Sequence, residues 1–248
     1  MKQSVSTIMC NTVLGIGLCL TGMNYAAAAG MGSQEQTEPE QASSAELQKV
    51  QNTVREAAQV IDKMSSKPEA KAALDRSRAV FVVPSYARAS FIVGGAAGRG
   101  VLVGHEQGKW SAPAFYNVGT INAGAEAGAE GGSIAFLIMT DKALRGFKEG
   151  HNLSLNADTG LTVVNFSEWA QASVGKGGPN ADVVVWSDTK GLYGAIAVNV
   201  TDIFWDKAAN QAYYGRQVAI ADILDGSIKD PMSQSPLRSE FSALEKAE

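Results

Sequence analysis

The sequence predicts an α+β fold, in which a curved, barrel-like and mostly antiparallel sheet is covered by an N-terminal helical hairpin and a C-terminal helix. Apolar residues recur every three or four positions from Leu47 to Met64, which is the period of an amphipathic helix. Short runs rich in Val, Ile, Phe and Tyr follow between Ala79 and Val200, a composition typical of strands. The chain has 26 glycines among 248 residues, and many lie inside those runs. Glycines at such positions predict bulges and sharp bends that curve a sheet.

Residues 1–29 are predicted to be a cleavable signal peptide. Lys2 precedes an apolar stretch from Val13 to Leu20, which has the length of a signal h-region and is too short to span a bilayer. The small residues Ala26–Ala29 then offer the A-x-A cleavage pattern. We therefore expect an exported protein of the periplasm or outer envelope.

The composition argues against several classes of function. With 21 Lys and Arg against 25 Asp and Glu, the net charge is −4, so no excess of cations is available to neutralise nucleic acid. Both cysteines, Cys10 and Cys19, lie inside the predicted signal. The mature protein would then have neither a disulfide nor a cysteine zinc site. Cys19 follows Leu18 rather than a small residue, so we expect no lipid anchor.

Two helices are predicted at the start of the folded domain, which we place at 45–226. Residues 30–44 are rich in Gln, Glu and Ser without an apolar period, and are predicted to form a disordered leader. The helix of the apolar stripe follows. Ser66 and Glu69 then match a capping box around Pro68, which predicts a second helix ending near Arg76.

The middle of the chain is predicted to consist mainly of strands. They are placed at Ala79–Val83, Ser90–Gly94, Gly100–Gly104, Phe115–Gly124, Ser133–Met139, Asn152–Asn156, Gly160–Phe166, Asp182–Ser187 and Tyr193–Val200. Thr140 is expected to cap a short helix over Asp141–Lys148. The segment Asp188–Gly191 is expected to form a hairpin turn. A further helix is predicted over Arg216–Leu224, and residues 227–248 are predicted to be a loose tail with a last turn near Phe241–Lys246.

Four features of the sequence resemble parts of catalytic or binding sites, and for each a structural role is the simpler interpretation. The glycine-rich segment Gly94–Gly100 precedes a predicted strand rather than a helix, so it favours a sheet bend over a nucleotide loop. His105 and His151 lack the spacing of a zinc motif. Ser111 is followed closely by a proline and lacks the G-x-S-x-G pattern, which favours a structural turn. The pair Glu126 and Glu130 favours a solvated edge over acid/base catalysis.

The helical hairpin is the positive end of the predicted molecule. Residues 41–80 carry seven cations and five anions. Lys49 and Lys63 share the polar face of the first helix with Glu56. That mixed face is compatible either with contact to anionic lipid or with an ordinary solvated surface.

Several segments together resemble the SYLF lipid-binding domain family over about Val60–Gly226. They are Ala79–Pro84, Phe91–Gly95, Gly98–Leu102, Trp110–Phe115, Gly124–Gly128, Met139–Thr140, Lys190–Tyr193 and Asn210–Gly215. The sequences Trp-Ser-Ala-Pro and Lys-Gly-Leu-Tyr are the most specific pair. The resemblance implies a non-enzymatic module that binds membrane lipids, with phosphoinositides as ligands in eukaryotic members and actin as a partner in some of them. We expect no cofactor and no metal.

For an exported bacterial member, the expected ligand is an anionic phospholipid of the cell envelope, held by peripheral membrane contact, and actin is not an expected partner. The alternative is a structural or protein-interaction module of the envelope without a lipid ligand. An enzyme ranks third. An elongated apolar cavity would favour lipid, and a flat apolar patch would favour a protein partner.

The predicted lipid-binding residues are Arg99, Lys190, Tyr193 and Trp110. Arg99 lies in the glycine-rich bend, and Lys190 lies in the predicted turn close to Tyr193, where an ammonium beside an aromatic ring would suit an anionic head group. Both cations could equally be ordinary exposed residues. Trp110, together with Pro113, is expected to serve folding first, because its ring would bury a large apolar area at a chain bend.

Overall fold

Two helices begin the part of the chain that the structure describes. The structure is a computed structural model and describes residues 37–90, 95–121, 128–149, 153–156, 160–173, 180–188 and 199–246. Helix α1 spans Thr37–Ser65 and helix α2 spans Pro68–Arg76. The predicted apolar stripe of α1 is buried from Val50 through Met64. The amphipathic period therefore identified the buried face of α1 correctly.

The hairpin differs from the prediction in two details. Helix α1 begins at Thr37, so the last eight residues of the predicted leader are helical, while residues 1–36, including the predicted signal, lie outside the described residues. The capping box at Ser66 is wrong. Lys67 is the residue before α2 and makes no side-chain cap, and the Ser66 hydroxyl donates back to the carbonyl of Lys63 at 2.8 Å. Pro68 at the first helical position has no N–H that needs a cap.

The described strands form one nine-stranded sheet. They are β1 (Ala79–Ser90), β2 (Gly95–Glu106), β3 (Lys109–Trp110), β4 (Ala114–Ile121), β5 (Gly128–Ile138), β6 (Leu153–Asn156), β7 (Val163–Asn165), β8 (Val183–Ser187) and β9 (Asn199–Trp205). Their order is β6-β9-β4-β2-β1-β5-β8-β7, with β3 paired to β2. Every pair is antiparallel except β7 with β8. The mostly antiparallel, barrel-like sheet is thus confirmed.

The strand boundaries differ most at β1 and β9. Strand β1 continues through Pro84 to Ser90, and its register with β5 shifts between Val83 and Tyr86. Proline has no N–H to donate to a neighbouring strand, so the register shift lies at Pro84, where the regular hydrogen-bond pattern cannot continue. Ser90 ends β1, and residues 91–94 of the predicted second strand lie outside the described residues. Strand β9 was predicted over Tyr193–Val200, but within the described chain it runs to Trp205.

Five further helices lie among the described residues. They are α3 (Asp141–Lys148), α4 (Phe166–Ser173), α5 (Lys207–Tyr214), α6 (Ile220–Leu224) and α7 (Pro236–Glu245). Thr140 caps α3 as predicted, because its side chain accepts the Ala143 N–H. Helices α4 and α5 were not predicted. Both follow a strand closely; Phe166 had been placed at the end of a predicted strand, and the remaining residues of the two helices had been assigned to no element.

The C-terminal segment is not a loose tail. Helix α7 begins after Ser235, whose hydroxyl accepts the Arg238 N–H, and it buries Leu237, Phe241 and Leu244. These three side chains recur at spacings of four and three, so they lie on one helical face. The segment is therefore a docked amphipathic helix rather than a loose end.

The sheet is buried on both faces. Val80 and Val82 of β1 join an outer core with residues of α1, α2 and α7, whereas Phe81 and Val83 join an inner core. Around Phe81 the rings of Tyr116, Phe136 and Phe147 lie with centroids 5.5–6.0 Å away. From Glu38 onward the described chain forms one compact unit.

The glycine-rich segment belongs to this inner core. A Cβ at Gly98 would lie 2.7 Å from Cγ1 of Val83, and one at Gly100 would overlap the Phe81 ring. Both glycines lie in β2, which pairs with β1 and β4. For residues 95–100 the sheet-bend interpretation is therefore confirmed, and the segment does not open a helix as a nucleotide loop would.

The docking of α7 gives a direct test. We expect Phe241→Ala to lower the free energy of unfolding by about 3–5 kcal/mol, because a buried ring is lost from the outer core. Urea unfolding followed by circular dichroism measures the change. Ser239→Ala, at an exposed position of the same helix, is the control and should leave the midpoint in place. An unchanged midpoint for Phe241→Ala would show that the tail is loose in solution.

Candidate functional site

Arg99, a predicted head-group contact, is engaged within the protein. Its Nε donates to Asp206 at 3.0 Å and its Nη2 donates to Glu46 at 2.6 Å, so it joins α1 to the start of α5. Asp206 is buried and also caps α5 by accepting the Ala209 N–H. A guanidinium held by two carboxylates has little charge left for an external anion. The structure thus gives Arg99 a structural role.

Trp110 is buried, with 5 % of its surface exposed. Its ring lies between His105 at 4.1 Å and Phe241 at 4.3 Å, measured between centroids. Helix α7 also holds its backbone, because the N–H of Trp110 donates to Glu245 and its carbonyl accepts from Arg238. The ring therefore contributes to folding, as expected, and is not available to contact lipid directly.

Lys190 and Tyr193 lie outside the described residues, as does the predicted turn after Asp188. Asp188 itself is fixed at the end of β8. Its carboxylate accepts the N–H of Ser133 at 2.9 Å and the ammonium of Lys63 at 3.1 Å. Burial opposes ionisation of this carboxylate, but the hydrogen bonds from Ser133 and Lys63 outweigh it and lower the pKa of Asp188 below its ordinary value.

The other candidate residues have structural partners where they are described. The Ser111 hydroxyl accepts the Gly104 N–H and donates to the Ala112 carbonyl, which confirms its role in a turn. Nδ1 of His105 lies 3.0 Å from the carbonyl oxygen of Ser77, within hydrogen-bond distance. Among the described residues, no group of three His, Cys, Asp or Glu side chains is placed to hold a metal ion. His151 and Glu126 lie outside those residues, and the side chain of Glu130 is not described.

Most cations of the helical hairpin are paired. The pairs are Lys49 with Glu46, Lys63 with Asp188, Lys71 with Asp75 and Arg78 with Asp141. Arg76 lies over the Trp169 ring at 5.4 Å. Arg55 and Lys67 are exposed and form no ion pair with any residue that the structure describes. Of the seven cations that make this end of the sequence positive, only Arg55 and Lys67 thus have no ion-pair or aromatic partner among the described residues.

Arg55 lines a cleft between α1 and the segment that precedes α7. We call it the α1–α7 cleft; it has a volume of about 350 Å³ and is lined by Gln51, Val54, Arg55, Met232, Gln234, Ser235 and Pro236. Val54 is buried at the base, and the Gln51 amide lies 3.9 Å from the Met232 sulfur. The cleft therefore combines an apolar base with one cation and two carboxamides.

The wall of the α1–α7 cleft is anchored from behind. Asp230 accepts the Tyr213 hydroxyl at 2.6 Å and the Met232 N–H at 2.8 Å, which fixes Met232 against α1. Burial, with Asp230 close by, raises the pKa of Tyr213 well above its ordinary value, so the phenol remains a donor. The Tyr214 hydroxyl donates to the Pro113 carbonyl at 2.7 Å. Tyr213 of the Asn210–Gly215 motif therefore supports the cleft from behind, whereas Tyr214 joins α5 to the segment that precedes β4.

Sequence reasoning missed this cleft. Arg55 was counted among the cations of the hairpin, but Gln51 and Met232 are 181 positions apart. The apolar spacing of Leu237, Phe241 and Leu244 was the available signal that a C-terminal helix would return to α1.

Comparison with known proteins identifies relatives. A family model described as "Las17-binding protein actin regulator", Ysc84, matches residues 119–244, about half of the chain. "Protein YSC84" of Saccharomyces cerevisiae is 30% identical over 167 residues, which cover 66% of this chain and 35% of that protein. "SH3 domain-containing YSC84-like protein 1" of Mus musculus is 26% identical over 156 residues, covering 62% and 46%. The human protein of that name is 25% identical over 154 residues, covering 62% and 45%. The matched region thus spans less than half the length of these relatives.

The pKa of Asp188 predicts how the protein responds to acid. Because its folded-state pKa is lowered, the contribution of its carboxylate to stability is complete above the unfolded-state pKa near 4 and is lost as the pH falls through the lower folded value. We expect Asp188→Asn to lower the free energy of unfolding by about 1 kcal/mol at neutral pH. The difference from wild type should shrink below a pH of about 4.

Urea titrations at neutral and acidic pH measure this difference. Asp222→Asn, at an exposed position of α6, is the matched control. A difference for Asp188→Asn that stays constant with pH would contradict a role for its charge.

Proposed function

Because the chain belongs to the Ysc84 (SYLF) domain family, we propose that it is a non-enzymatic lipid-binding protein that acts peripherally in the bacterial cell envelope and binds an anionic phospholipid. The matching family model is named for a Las17-binding actin regulator, and one relative is named "LAS seventeen-binding protein 3"; both names describe binding rather than catalysis. Among the helices that the structure describes, none is both long and apolar enough to cross a membrane.

The observation that carries this proposal is the guanidinium of Arg55, which has no ion-pair partner among the described residues and lies beside the apolar base of the α1–α7 cleft. A guanidinium binds phosphate oxygens through two parallel N–H donors, so Arg55 can hold the phosphate of a head group. Val54 and Met232 then offer apolar contact to the first carbons below that phosphate. The volume of about 350 Å³ is at the lower end of ligand pockets, which fits a head group whose acyl chains stay in the bilayer.

The interior of the sheet supports surface binding. The rings of Phe81, Tyr116, Phe136 and Phe147 pack against one another in the inner core at the level of β1 and β4, so side chains fill this part of the interior. An elongated apolar cavity was the feature expected to favour a lipid ligand over a protein partner, and the α1–α7 cleft is instead a small surface cleft. Contact at the surface cleft is therefore the arrangement that we propose.

A second candidate is a protein-interaction module. Two findings favour it: the matching family model is named for a Las17-binding actin regulator, and Phe204 on β9 is 39 % exposed. An exposed aromatic ring on a sheet face can anchor a protein partner. Phe204→Ala should then weaken capture of that partner and leave vesicle binding unchanged.

The lipid proposal is tested with Arg55→Gln. We expect binding to vesicles of phosphatidylglycerol in phosphatidylcholine to fall about fivefold at low salt, since a cation near an anionic surface contributes about 1 kcal/mol. Co-sedimentation measures the binding. The control is Lys67→Gln, which removes another exposed cation about 18 Å further along the hairpin. Equal losses in the two variants would indicate general attraction and would remove the cleft from the proposal.

Export is tested separately. The pattern of Lys2, Val13–Leu20 and Ala26–Ala29 supports cleavage after Ala28 or Ala29. We expect the intact mass of protein from the periplasmic fraction to correspond to a chain that starts near Gly30. Recovery of the full-length mass from the cytoplasmic fraction alone would contradict the proposed location.

A further inference from the structure

The α1–α7 cleft contains only a few kinds of polar side chain among its described lining residues. Apart from Arg55, the polar side chains that line it are Gln51, Gln234 and Ser235, and no carboxylate is among the described lining residues. The Ser235 hydroxyl already caps α7 by accepting the Arg238 N–H. The groups left for a ligand are thus one guanidinium and two carboxamides.

Carboxamides and hydroxyl groups match each other as hydrogen-bonding partners. The side-chain amide of glutamine both donates and accepts, and a hydroxyl group does the same. An ammonium group only donates, and its charge is best met by a carboxylate, which this cleft lacks. A head group that carries hydroxyls can therefore pair with both functions of an amide, whereas the ammonium of an amine-bearing head group would lie near the cation of Arg55 and find no protein carboxylate among the described lining residues.

Gln51 is placed to act together with Arg55. The two residues are four positions apart on α1, so their side chains lie one turn apart on the same face. The Gln51 amide lies against Met232, and Met232 is held through Asp230 by the buried Tyr213. A fixed amide loses less freedom when it binds, and so it can discriminate between head groups.

We propose that the α1–α7 cleft selects a phospholipid whose phosphate carries an uncharged, hydroxyl-bearing head group such as glycerol, over one whose head group carries an amine. Arg55 holds the phosphate, and Gln51 with Gln234 reads the hydroxyls. This selectivity rests on the proposed lipid-binding function and assigns its ligand class.

The test compares two lipids of the same net charge. Phosphatidylglycerol and phosphatidylserine each carry one net negative charge, so vesicles with equal fractions of either in phosphatidylcholine attract cations equally. We expect the full-length protein to bind phosphatidylglycerol vesicles about three- to tenfold more tightly, the range of one or two additional hydrogen bonds. Equal binding would overturn the inference and leave the lipid proposal standing. Failure to bind either vesicle would instead overturn the lipid proposal itself.

Variants locate the selectivity. Gln51→Leu removes the amide but no charge, so it should lower binding to phosphatidylglycerol to the level of phosphatidylserine. Arg55→Gln should weaken binding to both lipids alike. Gln59→Leu, at an exposed position two turns further along α1, is the matched control and should keep the preference. If Gln51→Leu keeps the wild-type preference while its circular dichroism spectrum is native, another part of the protein reads the head group and the assignment to this cleft is wrong.

Discussion

The burial of β1 on both faces is the constraint on which the rest of the structure depends. Val80 and Val82 face the helices, and Phe81 and Val83 face the inner core, so each side of the strand needs its own cover. Helices α1, α2 and α7 supply one layer, and α3 and α6 contribute to the other. The inner layer closes tightly only because β2 presents glycine opposite Phe81 and Val83. An outer layer made of helices from both ends of the chain necessarily has a seam, and the α1–α7 cleft lies along it.

The same arrangement decides which charges remain free. The polar face of α1 points away from the sheet, but its cations near neighbouring elements are neutralised, as Lys63 is by Asp188. Arg99 is drawn into the layer contact by Glu46 and Asp206, where a guanidinium without partners would be costly. Arg55 forms no ion pair with any described residue, because the segment beside it contributes Met232, Gln234 and Pro236 to the cleft and no carboxylate. The candidate site is therefore the place along the seam where a cation meets apolar and uncharged side chains.

Local patterns in the sequence predicted local structure well. The period from Val50 to Met64 identified the buried face of α1, and Thr140 identified the start of α3, because both signals lie within one element. Roles that depend on distant partners could not be predicted. Arg99 was interpreted as a free cation because its partners lie 53 and 107 positions away. The α1–α7 cleft was not predicted for the same reason, since one of its walls comes from a segment that had been assigned to a loose tail.

Under the proposed function, the charge balance also determines which kind of membrane contact is open to this protein. A net charge of −4 gives no general attraction to an anionic bilayer, and four of the seven cations of residues 41–80 are paired. A protein of this kind cannot rely on a broad basic surface, whose binding would follow the charge density of the bilayer. The proposed lipid binding must therefore depend on a few directed hydrogen bonds beside an apolar contact. Those interactions depend on the identity of the head group more than on salt, so a site such as the α1–α7 cleft favours selectivity over general affinity.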